Sequence, residues 1–393
     1  VGRWKDKYVI GLTGNIAMGK SLVRRMLEHL GAYTIDADGL AHQAMAPGAP
    51  AYKPAIVTFG QWILDSEKRI DRTKLGAVVF SHPEALARLE AMTHPVIGQA
   101  IDTLIQRSPH KVIVVEAIKL FEGALAGQFD AIWVVDCTEE KQLERLARRG
   151  LNRFEAVKRI RTQNPQADKL SHANVVISNN GTPEETWAQV RVAWSQIKGA
   201  AEEEERLAAP QHVQVKPSTV PQPAVAGKLT ITSLDIIRGM PKNADQIAQL
   251  IRQRTGKALT RQDVLMAFGQ KSYMLAMANG EAVGLVGFLV ENLVTRVDEL
   301  LVIERAPVQP VAAALVQAVE RASRELQSEV GYIFVPEKDT QGMAQVLTQE
   351  GYESQQLEEI KVPAWREAAR EARPDGATIF SKKLRAERVL KPL

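Results

Sequence analysis

Tyr8-Val9-Ile10-Gly11-Leu12-Thr13 runs straight into Gly14-Asn15-Ile16-Ala17-Met18-Gly19-Lys20-Ser21, and Leu22, Val23, Met26, Leu27 and Leu30 recur behind it at helical spacing. The first segment reads as a short strand, the last as one face of an amphipathic helix, and the eight residues between them form a complete Walker A pattern in its required setting. The chemistry explains the spacing. Loop N–H groups and the positive helix end surround a polyphosphate, and glycines permit close approach. Lys20 supplies a mobile cation to the outer phosphates, and the Ser21 hydroxyl can ligate Mg²⁺. A chance glycine turn before Lys-Ser would need neither strand nor helix around it.

Outward from this loop, Tyr33-Thr34-Ile35, Lys111–Val115, Ala131–Val135 and Val175–Ile177 are further short apolar runs without clean alternation. Strands of that kind are covered on both faces, and with helices between them they predict a parallel α/β sheet. Residues 54–106 are mainly helical in pattern and form a side lobe over the sheet's carboxyl edge. At 393 residues the chain is long enough for about two domains, and 45% apolar with 24% charged residues describes a folded protein. Fifty basic against 46 acidic residues give a formal charge of +4, too balanced to point to nucleic acid. A single cysteine, Cys137, excludes an intrachain disulfide and a multi-cysteine zinc cluster. Nothing at the N-terminus reads as a signal peptide and no run approaches membrane length, so a cytoplasmic protein without a membrane partner is expected. A monomer is the expectation, though the sequence does not fix the oligomeric state.

The composition changes after residue 198. Glu202-Glu203-Glu204-Glu205 leads into a stretch with Pro210, Pro217, Pro221 and Pro223 and almost no large apolar side chains. This predicts a first domain over 1–200, an acidic then proline-rich linker over 201–227, and a second domain over 228–393. The second domain reads as strand 229–237, helix 243–254, a hairpin of 272–278 and 282–290 turning at Asn279-Gly280, strand 298–303, helix 311–326, strand 331–335, a helix near 342–348 and a closing strand pair, an α+β layout.

Three acidic or basic features accompany the loop. Asp36 and Asp38 follow the Tyr33–Ile35 strand, at the same sheet edge as Lys20; there Asp38 either serves an acceptor hydroxyl or Mg²⁺, or caps the helix that begins at Gly39. Glu116 ends the 112–115 strand, as a metal-associated acid or a solvated loop carboxylate. Arg145, Arg148, Arg149, Arg153, Lys158, Arg159 and Arg161 form a solvated face or, beside a nucleotide, a lid whose guanidiniums close over phosphate.

Residues 7–195 resemble the dephospho-coenzyme A kinases. The likeness runs through Gly11–Gly14, Gly19-Lys20-Ser21, Asp36-Ala37-Asp38, His42, Phe59-Gly60, Ile70-Asp71-Arg72 with Leu75 and Phe80, and His94-Pro95. It continues at Leu120-Phe121-Glu122, Arg148 ahead of Gly150, Gln163, and Asn179 with Gly181. The resemblance implies an α/β, P-loop kinase-like parallel sheet with helical substrate lobe and lid, transferring the ATP γ-phosphate to the ribose 3′-hydroxyl of dephospho-CoA with Mg²⁺. It places Asp38 as general base, Thr13 near the reacting phosphate, and Gly14, Asn15, Ile16, Ala17, Met18, Gly19, Lys20 and Ser21 around the nucleotide. Ser21 and Glu116 stand at the metal, Arg148 in the lid, and Asp38, His42, Phe59, Arg72 and His94 toward the substrate; His42 and His94 equally suit structural roles. Another P-loop small-molecule kinase is the alternative. Asn15, Ala17 and Met18 replace the family's glycine, glycine and serine. Glu116-Ala117-Ile118-Lys119 stands where the family has Asp-x-Pro-Leu, Asn174 replaces an aspartate, and the lid before Gly150 reads one residue short.

The second domain resembles the acetyl-CoA-dependent N-acetyltransferases in element order. That superfamily's glycine-rich pyrophosphate turn corresponds here to Glu304-Arg305-Ala306-Pro307-Val308-Gln309-Pro310, without glycine and with two donors removed by proline. The resemblance implies an acetyl-CoA site, a scaffold, or a CoA-sensing module. Tyr332, Glu337, Tyr352 and Trp365 all suit ordinary structural roles.

Overall fold

The computed structural model describes residues 3–79, 81–118, 120, 126–208, 211–212 and 229–390. Phe80, Lys119, Phe121 and Glu122 from the motifs above, and residues 209–210 and 213–228 of the expected linker, lie outside them. The chain divides into two compact units, 1–203 with 388–393 and 204–387.

In the first unit the chain runs through strand β1 (Tyr8–Thr13), helix α1 (Lys20–Leu30), β2 (Tyr33–Asp36), α2 (Ala37–Ala44), α3 (Tyr52–Phe59), α4 (Arg72–Val79), α5 (Pro83–Arg107) and β3 (Val112–Glu116). It continues as β4 (Ala131–Asp136), α6 (Glu139–Arg148), α7 (Arg153–Arg161), α8 (Gln166–Ser171), β5 (Val175–Ser178), α9 (Pro183–Ser195) and α10 (Ala200–Ala208). The five strands form one all-parallel sheet in the order β2-β3-β1-β4-β5. Val9, Ile10, Leu12, Val112, Ile113 and Val114 are wholly buried, which is why these runs show no alternation. On one face Val23 and Leu27 of α1 and Val190 and Trp194 of α9 close over Ile10, Leu12, Val114 and Trp133.

The sheet register places the site. Leu12 and Asp36 both lie opposite Glu116 on the flanking strands, so the ends of β1, β2 and β3 arrive at one edge together. β1 continues there into the phosphate loop, and β2 into α2. The acidic run expected within the linker is instead part of α10, where Glu203 is buried and accepts the Lys111 N–H. A helix start there lets one glutamate of the run find a backbone donor, which composition alone does not reveal.

The second unit holds an eight-stranded sheet in the order β12-β13-β11-β10-β9-β8-β7-β6. Its elements are β6 (Gln211–His212), β7 (Leu234–Arg238), α11 (Ala244–Thr255), α12 (Arg261–Ala267), β8 (Ser272–Ala278), β9 (Glu281–Glu291) and β10 (Val294–Val302). Then follow α13 (Val308–Glu325), β11 (Val330–Pro336), α14 (Glu337–Gln349), β12 (Glu353–Gln355), α15 (Pro363–Ala372) and β13 (Ala377–Lys383). The expected α+β layout is present. Asn279 and Gly280 both take positive φ, 51° and 85°, as a two-residue hairpin turn requires. Strand β7 begins five residues later than expected, and α12 was not expected at all; only its Thr260–Asp263 capping box marks it in the sequence. The β10–β11 pair is parallel inside an otherwise antiparallel sheet.

Candidate active site

The phosphate loop is held from outside by side chains that grip its carbonyls. Gln142 donates to Ile16 O at 2.7 Å; Arg145 Nη1 donates to Ala17 O at 2.9 Å and Met18 O at 3.0 Å; Asn179 Nδ2 donates to Met18 O at 2.9 Å. Arg145 Nη2 also reaches Asn179 O at 2.7 Å, and Thr186 donates its hydroxyl to Asn179 Oδ1 at 3.1 Å. At the loop's entry, Gln166 and Gln163 accept the N–H groups of Asn15 and Ile16, while Asn15 Nδ2 donates to Asn164 O. The Asn15 and Ile16 N–H groups are thereby engaged, and the first N–H groups of α1, from Lys20 and Ser21, have no partner within that helix.

Gly19, the N-cap of α1, sits at φ +99°, and a Cβ there would stand 1.9 Å from Asn179 Nδ2. Ala17 takes φ +59° without being glycine. Asn15 Oδ1 is buried with no hydrogen-bond partner among the described residues. Ala17 therefore holds a left-handed backbone that alanine adopts only at a cost.

Lys20 is 8% exposed, and burial pulls its ammonium below the usual range against the opposing charges of Glu116, Asp38 and Asp36; Arg149 adds to the lowering. Ser21 is exposed at the loop's end and could hold a metal ion. Thr13 is fully buried and donates to Ile118 O at 3.2 Å, so its hydroxyl ties β1 to the segment after β3. Glu116 ends β3 as expected, but its Oε2 lies 2.9 Å from Arg24 Nε in a buried ion pair. Among the described residues no group of three His, Cys, Asp or Glu side chains could hold a metal by itself.

The cap of α2 is Asp36, which accepts the Gly39 N–H at 2.9 Å, and this leaves Asp38 in the first turn with its carboxylate free for other work. Asp38 Oδ2 accepts the Ile118 N–H at 3.2 Å. Although the residue reaches solvent, desolvation at the crowded edge and the nearby Asp36 hold its carboxyl above the usual range; Ile118, Lys20 and Lys169 pull the other way. His42 lies one turn along α2 on the Asp38 side and contacts Arg72, joining two expected substrate residues. Phe59 is half-buried at the end of α3, and His94 is exposed on α5; neither is brought to Asp38 by a hydrogen bond. An open groove of about 610 Å³ on this lobe is lined by Val57, Thr58, Arg88, Ala91 and Met92.

The lid departs from expectation. Arg148 points away, with its side chain 75% exposed and paired at 2.5 Å with Glu144 on its own helix. Arg145 grips the loop instead, and Arg149 is the guanidinium whose charge reaches Lys20. Arg145 on α6 and Arg149, the residue that caps its C-terminus, are four positions apart. Sequence reasoning also missed Lys169, which is buried and donates to Ile118 O at 2.8 Å, and Gln142 and Gln166, while Gln163 was marked by the resemblance without a role. No spacing rule marks them.

Residues 8–185 match the dephospho-CoA kinase family. The dephospho-CoA kinase of Geobacter metallireducens is 45% identical over 192 residues, 48% of this chain and 96% of that protein. The chain belongs to the dephospho-CoA kinase family. That kinship lies in the first unit. The solved dephospho-CoA kinase of Campylobacter jejuni is 29% identical, with a TM-score of 0.38, over 48% of this chain and 96% of that one. An N-acetyltransferase of Thermoplasma acidophilum solved with coenzyme A is 10% identical, with a TM-score of 0.31, over 39% of this chain and 99% of that one. No described helix is long and apolar enough to cross a membrane.

In the second unit the turn before α13 is as poor in donors as its sequence suggests. Pro307 caps the helix and Pro310 lies in its first turn, so only Val308 and Gln309 offer N–H groups there. Arg305 is engaged by Glu281. Tyr332 and Tyr352 are buried, and burial pushes both phenols well above their usual range.

Proposed function

We propose that the first unit transfers the γ-phosphate of ATP to the 3′-hydroxyl of dephospho-CoA. The observation that carries this reading is Asp38, a carboxylate spared capping by Asp36, steadied by the Ile118 N–H and within electrostatic reach of Lys20 at the edge that bears the phosphate loop. A raised carboxyl is suited to accept a proton, because its basicity lies closer to the working pH than that of an ordinary aspartate. Lys20 meets the outer phosphate oxygens, and the loop N–H groups orient them. Thr13 acts indirectly, through Ile118, whose N–H steadies Asp38. Arg145 keeps the loop in shape, and Arg149 adds positive charge at the phosphates.

The residues fit a Mg²⁺ ion carried mainly on nucleotide oxygens. Ser21 offers a hydroxyl, and a cation of this kind takes few protein ligands when phosphates supply the rest. Bound there, it would neutralise charge on the transferring group. Glu116, the other acid expected at the metal, is engaged by Arg24.

For the second unit we infer a scaffold or weak CoA-recognising module. The donors that would hold a pyrophosphate at α13 are reduced to two, and the nearby Arg305 is already paired.

The test is product identity. The full chain, ATP, Mg²⁺ and dephospho-CoA should give a product with the mass of CoA, and ³¹P NMR should place the new monoester on the ribose 3′-oxygen. A phosphorylated product at another position, or none, would overturn the acceptor assignment.

A further inference from the structure

Arg24 is a strongly buried cation at this edge that the reading above leaves without a task. It lies four residues after Lys20, on the same side of α1, and is 4% exposed. Its Nε stands 2.9 Å from Glu116 Oε2, and Glu116 is itself 7% exposed. Glu116 is therefore paired with Arg24 from the middle of α1 and feels the charge of Lys20 from its start. Its carboxyl is raised by burial and by Asp36 and Asp38, and lowered by Arg24 first and Lys20 second. Glu28, the other acid near Arg24, is held by Arg25 at 2.6 Å and by Thr34.

We propose that Arg24 is a positioning residue acting through Glu116: it holds that carboxylate from the helix side, keeps it from closing on Lys20, and so leaves the Lys20 ammonium available to nucleotide phosphate. The inference rests on the phosphate-loop part of the reading above. A buried carboxylate deprived of its partner takes the nearest remaining cation, since attraction between charges strengthens away from water. Here that cation is Lys20, on which Glu116 exerts the largest opposing charge. Glutamate is needed for the arrangement. Aspartate at this strand end would fall short of Arg24 by about one bond, ~1.5 Å.

The probe is ADP, titrated calorimetrically into the full chain with EDTA present, so neither metal nor acceptor enters the measurement. Arg24→Met, which keeps the volume, should weaken ADP about tenfold, about 1.4 kcal/mol. Adding Glu116→Gln should restore affinity to within about twofold, because the competing charge is gone although the lysine's environment is otherwise unchanged. Glu116→Asp alone, a mild change that keeps the fold if Arg24→Met does not, should weaken ADP like the loss of Arg24. A merely structural pair predicts lower thermal midpoints with no rescue by Glu116→Gln. Unchanged ADP affinity in Arg24→Met, a double variant as weak as the single, or wild-type affinity in Glu116→Asp would each overturn the proposal. Should the wild type bind ADP yet make no CoA, the acceptor assignment fails and this inference stands.

Discussion

Replacing Arg145 with alanine is a sharp perturbation, because the sequence gives the lid role to Arg148. Arg145 makes three donations of 2.7–3.0 Å to the carbonyls of Ala17, Met18 and Asn179. Hydrogen bonds from a charged donor contribute about 1.5–3 kcal/mol each when buried, but this side chain is only partly buried and water can replace some of the loss. Met18 O also keeps Asn179 as a donor. About 1 kcal/mol per bond, ~3 kcal/mol in all, is then the cost of a loop that must be reordered on binding, or about 10²-fold in ADP affinity. Arg148 and Glu144 are an exposed pair four residues apart, worth about 0.3–0.5 kcal/mol to the helix, so Arg148→Ala should change ADP affinity less than about twofold. Calorimetric titration of both variants reads the contrast directly. Equal losses in the two, or an Arg145→Ala affinity within about threefold of wild type, would refute the reasoning.

Further outcomes follow from the same geometry. Asp38→Asn should lower kcat by about 10²–10⁴ while leaving ADP affinity within about threefold, since a general base serves the acceptor and not the nucleotide. Because the Asp38 carboxyl is raised, kcat/KM should fall as pH drops through a range above that of an ordinary aspartate. The stability sign runs opposite: a raised carboxyl in the folded state favours the protonated form, so its cost is absent at low pH and grows as pH rises from the ordinary value through the raised one. Asp38→Asn should therefore raise the thermal midpoint at neutral pH, with the gain vanishing below the ordinary aspartate range. Gly19→Ala should abolish ADP binding, because the added carbon meets Asn179 in a backbone conformation that alanine rarely adopts. Equilibrium dialysis of the full chain with labelled acetyl-CoA at micromolar concentration should show at most one site per chain; a second stoichiometric site would argue that the turn before α13 still holds a pyrophosphate.

The sheet was legible because its strands are buried on both faces and its loop carries a motif whose chemistry dictates each residue. The places of Lys20 and Ser21 in the loop were legible for the same reason, whereas Asp38 by position alone reads equally as a helix cap. Arg145 and Arg149 were not separable from Arg148 by composition, since a helix with arginines at 145, 148 and 149 presents them on different sides and only packing decides which side meets the loop. The grip of Gln142 and Gln166 was invisible, and Gln163 and Asn179 were marked by the resemblance without their part in it, because a neutral amide serves any donor or carbonyl it happens to face. Glu116 was read as a metal-associated acid because strand ends are where such acids stand; the guanidinium that claims it comes from α1, and sequence separation hides that pairing. α10 was lost to its own composition, four consecutive glutamates reading as solvated although Glu203 is buried.

The central claim is that a phosphoryl group passes from ATP to dephospho-CoA, and stoichiometry tests it most directly. ADP and CoA should be counted in one reaction of the full chain with ATP, Mg²⁺ and dephospho-CoA. The account predicts one CoA for each ADP, with ADP formation dependent on the acceptor. ADP formed at the same rate with and without dephospho-CoA, and no CoA beside it, would contradict it.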